Sequence, residues 1–315
     1  CTVLLSALVS NANHIVGMDL SYAWVSGNTY RITLVAYGDC GVATPDLSVA
    51  SPQICIYNGA TSVGNINLTI VPPTAGTEIT PVCPASIGST TCSGGTIPGV
   101  RRYVYSGTYT LPTTSRNWRF IFNGSMSGSS AGRASTITNT TGVTVMQLID
   151  SLDNRFVNNS SPVLTVPPTP YFCLNNPNTY NPGGVDPDGD SLVFTLVRGR
   201  VASSNCGNIG TGSSQVNYTS AFEAWPGTPI SATTPLRVAT GDFSFNSTNG
   251  QVNFNPNFNQ VALVVYNIKE YRGDSVVGTS QREMTFLVQP CTVTPPTGVI
   301  SSPVNGAITG PTSFQ

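Results

Sequence analysis

The sequence predicts an all-β protein, and three observations carry that prediction. Charged residues make up 9% of the 315-residue chain, far below the roughly 25% of an average soluble domain. Apolar residues, at 39%, still leave ample material for a core. The balance is Thr, Ser, Asn, 31 Gly and 24 Pro, residues that favour turns and disfavour long helices. Finally, short segments of alternating or β-branched and aromatic character recur between turn-rich stretches.

Taken in order, residues 1–15 open with CTVLLSALVSNA, an apolar run ending in small residues that reads like the tail of a secretory leader. Cleavage would start the mature chain near Asn13. The open alternatives are a retained, lipid-bearing Cys1 and an ordered strand from Val3 to Val9 that needs a partner surface. Strands are then expected near 20–25, 30–37, 54–57, 66–71, 103–111 and 118–122. In the last of these Trp118, Phe120 and Phe122 share one face, with Arg119 on the other. The segment 143–152 fits strand and helix periods alike, with context favouring strand. Together, residues 16–160 read as one β-sandwich.

Pro162 and the run Pro167-Pro168-Thr169-Pro170 interrupt the pattern, because proline denies donors to a ladder, and place a boundary near residue 160. Beyond it, strands are expected near 191–197, 236–245, 251–254, 261–270 and 285–288, with a hairpin turn at Arg272-Gly273-Asp274-Ser275. Residues 161–291 thus form a second sandwich, of Ig-like or cadherin-like size. Residues 292–315, rich in Pro, Gly and Ser, read as a linker or the start of a further module.

Composition also excludes functions. With a net charge of −1 and Lys269 as the single lysine, no basic surface is available to neutralise a run of phosphates, so nucleic acid is not an expected partner. No apolar run approaches the ~18 residues of a membrane span. The single histidine, His14, lies in the leader-like end and cannot complete a nucleophile-histidine pair in the body. The glutamates Glu78, Glu223, Glu270 and Glu283 show no spacing that favours a glycosidase pair, and phosphate-loop and nucleophile-elbow motifs are missing. The chain is therefore expected not to be an enzyme. Eight cysteines without a zinc-binding spacing indicate disulfides and an oxidising compartment. Sequence proximity suggests Cys83 with Cys92 and Cys40 with Cys55. Cys173, Cys206 and Cys291 form an odd set, one of them free or reaching Cys1.

The sharpest constellation is Asp186-Pro187-Asp188-Gly189-Asp190. Carboxylates at alternate positions in a tight turn repel one another unless a hard cation sits among them, so Asp186, Asp188 and Asp190 are candidate Ca²⁺ ligands. The loop is not an EF-hand, since Pro187 holds its second place and Val197 its twelfth. The competing reading is a plain turn with solvated carboxylates. The Arg272-Gly273-Asp274 triplet is explained by the hairpin.

Four segments in order, NHIVGMDLSYAWVSGNTYRITLVAYGDC, PVCPASIGSTTC, FCLNNPNTYNPGGVDPDGDSLVFTLV and FSFNSTNGQVNFNPNFNQVALVVYNIKEYRGDSVVGTSQREMTFLV, resemble the N-terminal regions of large Bacteroidetes surface proteins, the gliding-motility-associated adhesins exported by type IX secretion. That resemblance implies a cadherin-like calcium or turn motif at Asp186, Asp188 and Asp190. It also implies O-glycosylation of Asp-Ser-apolar triplets, at Ser151, Ser191 and Ser275. The expected function is a non-enzymatic, extracellular structural or adhesive role on a bacterial cell surface, as part of a large adhesin or a homo-oligomeric filament. Its partners would be further domains, other copies of itself or cell-surface glycans. The alternative is a glycan-binding module accessory to a secreted hydrolase, with Trp24, Trp118 or Trp225 as a stacking platform.

Overall fold

Two facing ladders organise the first nine strands of the computed structural model, which describes residues 15–40, 47–124, 134–137, 147–155, 158–168, 171–202, 206, 213–218, 229–291, 301–302 and 306–307. Strands β1 (Ile15–Ser26) and β2 (Thr29–Asp39) form a hairpin, followed by β3 (Gln53–Asn58), β4 (Thr61–Asn67), β5 (Thr69–Ile70), β6 (Thr77–Glu78), β7 (Val100–Thr110), β8 (Trp118–Phe122) and β9 (Leu148–Leu152). The ladder β4-β3-β8-β9 faces the ladder β1-β2-β7, whose outer edge carries β5 and β6. Between them lie Met18, Leu20 and Tyr22 of β1, Ile32 and Leu34 of β2, and Trp118, Phe120 and Phe122 of β8. The expected face of β8 is therefore the one that packs inward. In 143–152 the described part is 147–152, of which Leu148–Leu152 is strand.

The second lobe adds β10 (Val163–Leu164), β11 (Tyr171–Cys173), β12 (Asn178–Tyr180), β13 (Gly184–Val185), β14 (Ser191–Leu196), β15 (Arg200–Ala202), β16 (Ser213–Gln215), β17 (Val238–Phe245), β18 (Val252–Pro256), β19 (Gln260–Arg272) and β20 (Ser275–Gln289), with a small pair, β21 (Ser301–Ser302) and β22 (Gly306–Ala307), beyond. The ladder β14-β19-β20 packs on β12-β18-β17 around Phe172, Phe194, Phe254, Tyr266 and Phe286. The turn between β19 and β20 falls at Gly273-Asp274 as expected, with Gly273 at φ +59°. The run Val261-Ala-Leu-Val-Val265 does not alternate because both faces are covered. Ala262 and Val264 enter the second core, while Leu263 and Val265 pack against Val201, Val216 and Tyr218. Strands buried on both faces read as continuous apolar runs.

The lobes share hydrogen bonds as well as surface. One edge of β20 is filled by β19 from Arg272↔Ser275 to Gln260↔Val288. Its other edge is taken in succession by β9 at Gly278–Thr279, by β1 at Arg282–Met284 and, in parallel, by β11 at Leu287–Gln289. Both ladders of the first lobe thus end on a strand of the second, and 13 strands form one sheet. The position near residue 160 marks a change of core but no break in the sheet.

The disulfides correct the expected pairing. They join Cys40 to Cys92, Cys55 to Cys206 and Cys173 to Cys291, and Cys83 is an exposed free thiol. Proximity in sequence misleads here because Cys83 caps a 3₁₀ turn, Pro84–Ser89, whereas Cys92 lies in the next one. There it meets the end of β2, where Cys40 N donates to Gly99 O (2.9 Å). Cys55 lies in mid-strand on β3, in the opposite ladder from Cys40, with its side chain on the outer face beside Ile121 and Cys206. Cys1 lies outside the described residues, as do His14, Val3 to Val9, Glu223 and Trp225.

Candidate metal centre at the seam

The turn that carries the acidic residues is built by its own side chain. Asp186 Oδ1 accepts hydrogen bonds from the backbone N–H of Asp188 and of Asp190, both at 2.9 Å, and Gly189 takes φ +82°, a conformation that favours glycine. The turn delivers Asp190 to the start of β14, where the pairing Ser191↔Tyr271 sets it beside Arg272. Arg272 clamps Asp190 with Nε at 2.8 Å and Nη2 at 2.7 Å, the bidentate geometry of strong guanidinium-carboxylate pairs.

Glu270, fully buried, points into the same space from β19. It accepts from Asn159 Nδ2 at 2.9 Å and lies 3.5 Å from Tyr22 OH, which donates to Ser151 O at 3.0 Å. Gly278 of β20 makes room for this contact: a Cβ there would lie 2.3 Å from Tyr22 Oη and 2.6 Å from Glu270 Oε1. Carboxylate oxygens of Asp186, Asp190 and Glu270 all lie within 4.8 Å of one another. Asp186 Oδ2 is buried without a hydrogen-bond partner. The expected third member, Asp188, is not in this group. It is exposed, and its Oδ2 accepts from Ser160 N at 2.5 Å, tying the turn to the stretch around residue 160.

Burial, more than any other factor, pushes the Glu270 carboxyl up to about 8. The nearby Asp186 and Asp190 charges act in the same sense, and the Asn159 and Tyr22 hydrogen bonds oppose it. The Asp186 carboxyl is raised as well, again chiefly by burial. Three ionised carboxylates beside one guanidinium carry two excess negative charges. A proton on Glu270 removes one of these charges, and a hard divalent cation held by oxygens would remove both. The donor set fits the cation in charge and in atom type, with Asp186 Oδ2 as its uncommitted ligand, while Arg272 already occupies both Asp190 oxygens.

A second buried charge pair lies along the same seam. Arg282 of β20, wholly buried, forks onto Asp19 of β1 at 2.5 and 2.6 Å. Its Nη1 donates to Val166 O at 2.6 Å and to Tyr180 OH at 2.7 Å. Tyr37 OH donates to Asp19 Oδ2 at 3.0 Å. Asp150 of β9, also fully buried, accepts from Gln281 N at 3.0 Å, and burial raises its carboxyl well above the usual range.

The remaining expected sites scatter. Ser191 and Ser275 are exposed, at a strand start and at the hairpin tip, whereas Ser151 is half-buried and shares a 2.7 Å hydrogen bond with Thr279. Trp118 is fully buried, and Trp24 is half-buried against the first core with its indole N–H on Gly27 O. Among the described residues no helix is long and apolar enough to cross a membrane. Comparison with known protein families, curated proteins and solved structures returned no match.

Proposed function

We propose that the chain is a non-enzymatic structural or adhesive segment of a bacterial cell-surface protein, made of two Ig-like or cadherin-like sandwich modules locked into one unit. The observation that supports this reading is the double lock between the lobes. Strands on both sides of residue 160 hydrogen-bond to β20, and the Cys55–Cys206 bridge ties β3 to the second half across 151 residues. A load applied to one lobe passes through hydrogen bonds and a covalent bond to the other, which suits a stalk or spacer. Three disulfides suit an oxidising compartment. Asp186, Asp190 and Glu270 would bind Ca²⁺ and stiffen the junction. Burial of Trp118 removes one platform from the alternative glycan-binding reading.

Surface labelling of intact cells that produce the chain, with attachment assays of a deletion strain, tests the proposal. We expect labelling before lysis and weakened attachment. Labelling only after lysis, or unchanged attachment, would overturn it.

A further inference from the structure

We propose that a cleft between β9 and the tip of the β19–β20 hairpin binds the carboxylate of an acidic sugar residue. The cleft has a volume of about 340 Å³ and is lined by Arg116, Asp153 and Arg155 of the first lobe and by Ser275, Val276 and Gly278 of the second. That volume is near the lower end of the roughly 300–1,000 Å³ of small-molecule sites, a size suited to a single ring rather than a folded partner.

Its charge is what sets it apart. The chain has 13 basic residues, and several of its described guanidinium groups are already engaged: Arg282 on Asp19, Arg272 on Asp190, Arg119 on Gly59 O and Arg101 on Cys92 O. Arg116 is exposed and makes no hydrogen bond or ion pair among the described residues; it acts on Asp153 only through its field. Arg155 is held differently. Its Nε and Nη2 donate to Asp153 at 2.9 and 2.6 Å, which fixes the plane of the fork and leaves three of its five N–H donors for a ligand.

Two guanidinium groups and one carboxylate leave a single excess positive charge. That balance suits one carboxylate at a time, so a single residue of an acidic oligosaccharide would occupy the cleft. A planar carboxylate matches a guanidinium fork bidentately. Beside it, the Ser275 hydroxyl offers a partner for a sugar hydroxyl, and Val276, 42% exposed, gives the C–H face of the ring an apolar strip. This inference rests on the adhesive reading, for which it names the surface ligand.

The test is calorimetric titration of the full chain with oligogalacturonate, its methyl ester and inorganic sulfate. We expect binding of oligogalacturonate, at least about tenfold weaker in Arg116→Ala, as the loss of a charge-assisted pair implies, with an unchanged melting temperature and partial recovery in Arg116→Lys. The methyl ester should fail to bind. Equal binding of the ester, unaltered binding by Arg116→Ala, no heat with oligogalacturonate at millimolar concentration, or displacement of the sugar by equimolar sulfate would each overturn the proposal. Surface exposure of the chain without this binding would sink the cleft alone, and binding by a chain that is not surface-exposed would sink the adhesive reading alone.

Discussion

The two lobe cores and the seam between them are built from opposite materials. The cores are apolar and aromatic, with Tyr22, Tyr30 and Phe120 clustered in the first and Phe172, Phe254 and Phe286 in the second. The seam holds Asp19, Asp150, Glu270 and Arg282, buried or nearly so, in a chain that is 9% charged. Apolar packing is non-directional and tolerates substitution of like volume. A buried charge accepts only a partner of the right sign and geometry. The contrast teaches that cohesion within each lobe and the register between lobes rest on different interactions, and these should respond to different perturbations.

The hardest test of that contrast is Arg282→Met. It leaves Asp19, Val166 O and Tyr180 OH without their cation, and should cost about 3–5 kcal/mol, read from the urea midpoint. Replacing Asp19 by an apolar residue as well should recover much of the loss, and a midpoint indifferent to the single change would mean that the seam charges do not hold the lobes. Removing the covalent tie with a Cys55→Ser, Cys206→Ser pair should cost about 2–4 kcal/mol, again in denaturant, with reduction of the wild type giving at least as large an effect.

Glu270 sharpens the comparison through pH. Its folded carboxyl titrates at about 8 against an ordinary value of 4.5, so the folded state binds the extra proton. The associated stability is full below about 4.5, and is lost as pH rises through 8, with a slope of at most about 1.4 kcal/mol per pH unit. Glu270→Gln should flatten that slope in thermal melts. Ca²⁺ competes with the proton, so its stabilisation should grow from pH 6 to 9 and vanish in the same variant. A melting temperature insensitive to Ca²⁺ throughout that range would leave the cluster a proton site. The smallest effect is expected from Asp188→Asn, on the exposed side of the turn, within about 0.5 kcal/mol by the same melts.

Much of the fold was legible in the sequence because alternation is a local property. Trp118, Phe120 and Phe122 declare their face, and Arg272-Gly273-Asp274-Ser275 declares its turn, without reference to anything distant. Neither expected disulfide pair forms, and the acidic cluster was legible only in part, because the members of both come from segments distant in sequence. Asp190 reaches Arg272 across 82 residues and Asn159 reaches Glu270 across 111. Glu270 could have been found by continuing one inward face of β19: Ala262, Val264, Tyr266 and Ile268 are buried in the second core, and the next residue on that side is a carboxylate. Nothing local reveals that Cys206 takes Cys55.

The placement of β20 also bears on how the chain acquires its shape over time. Asp19 and Arg282 are 263 residues apart, and β1 and β9 both finish on β20. As the chain is synthesised, its first half can collapse early but cannot take its register until β20, which pairs with β1 and β9, has emerged. Such remote closures are slow, since loop entropy is lost before any contact repays it. For a chain threaded across a membrane, that delay would keep the polypeptide loose during passage and postpone its rigidity until the far side.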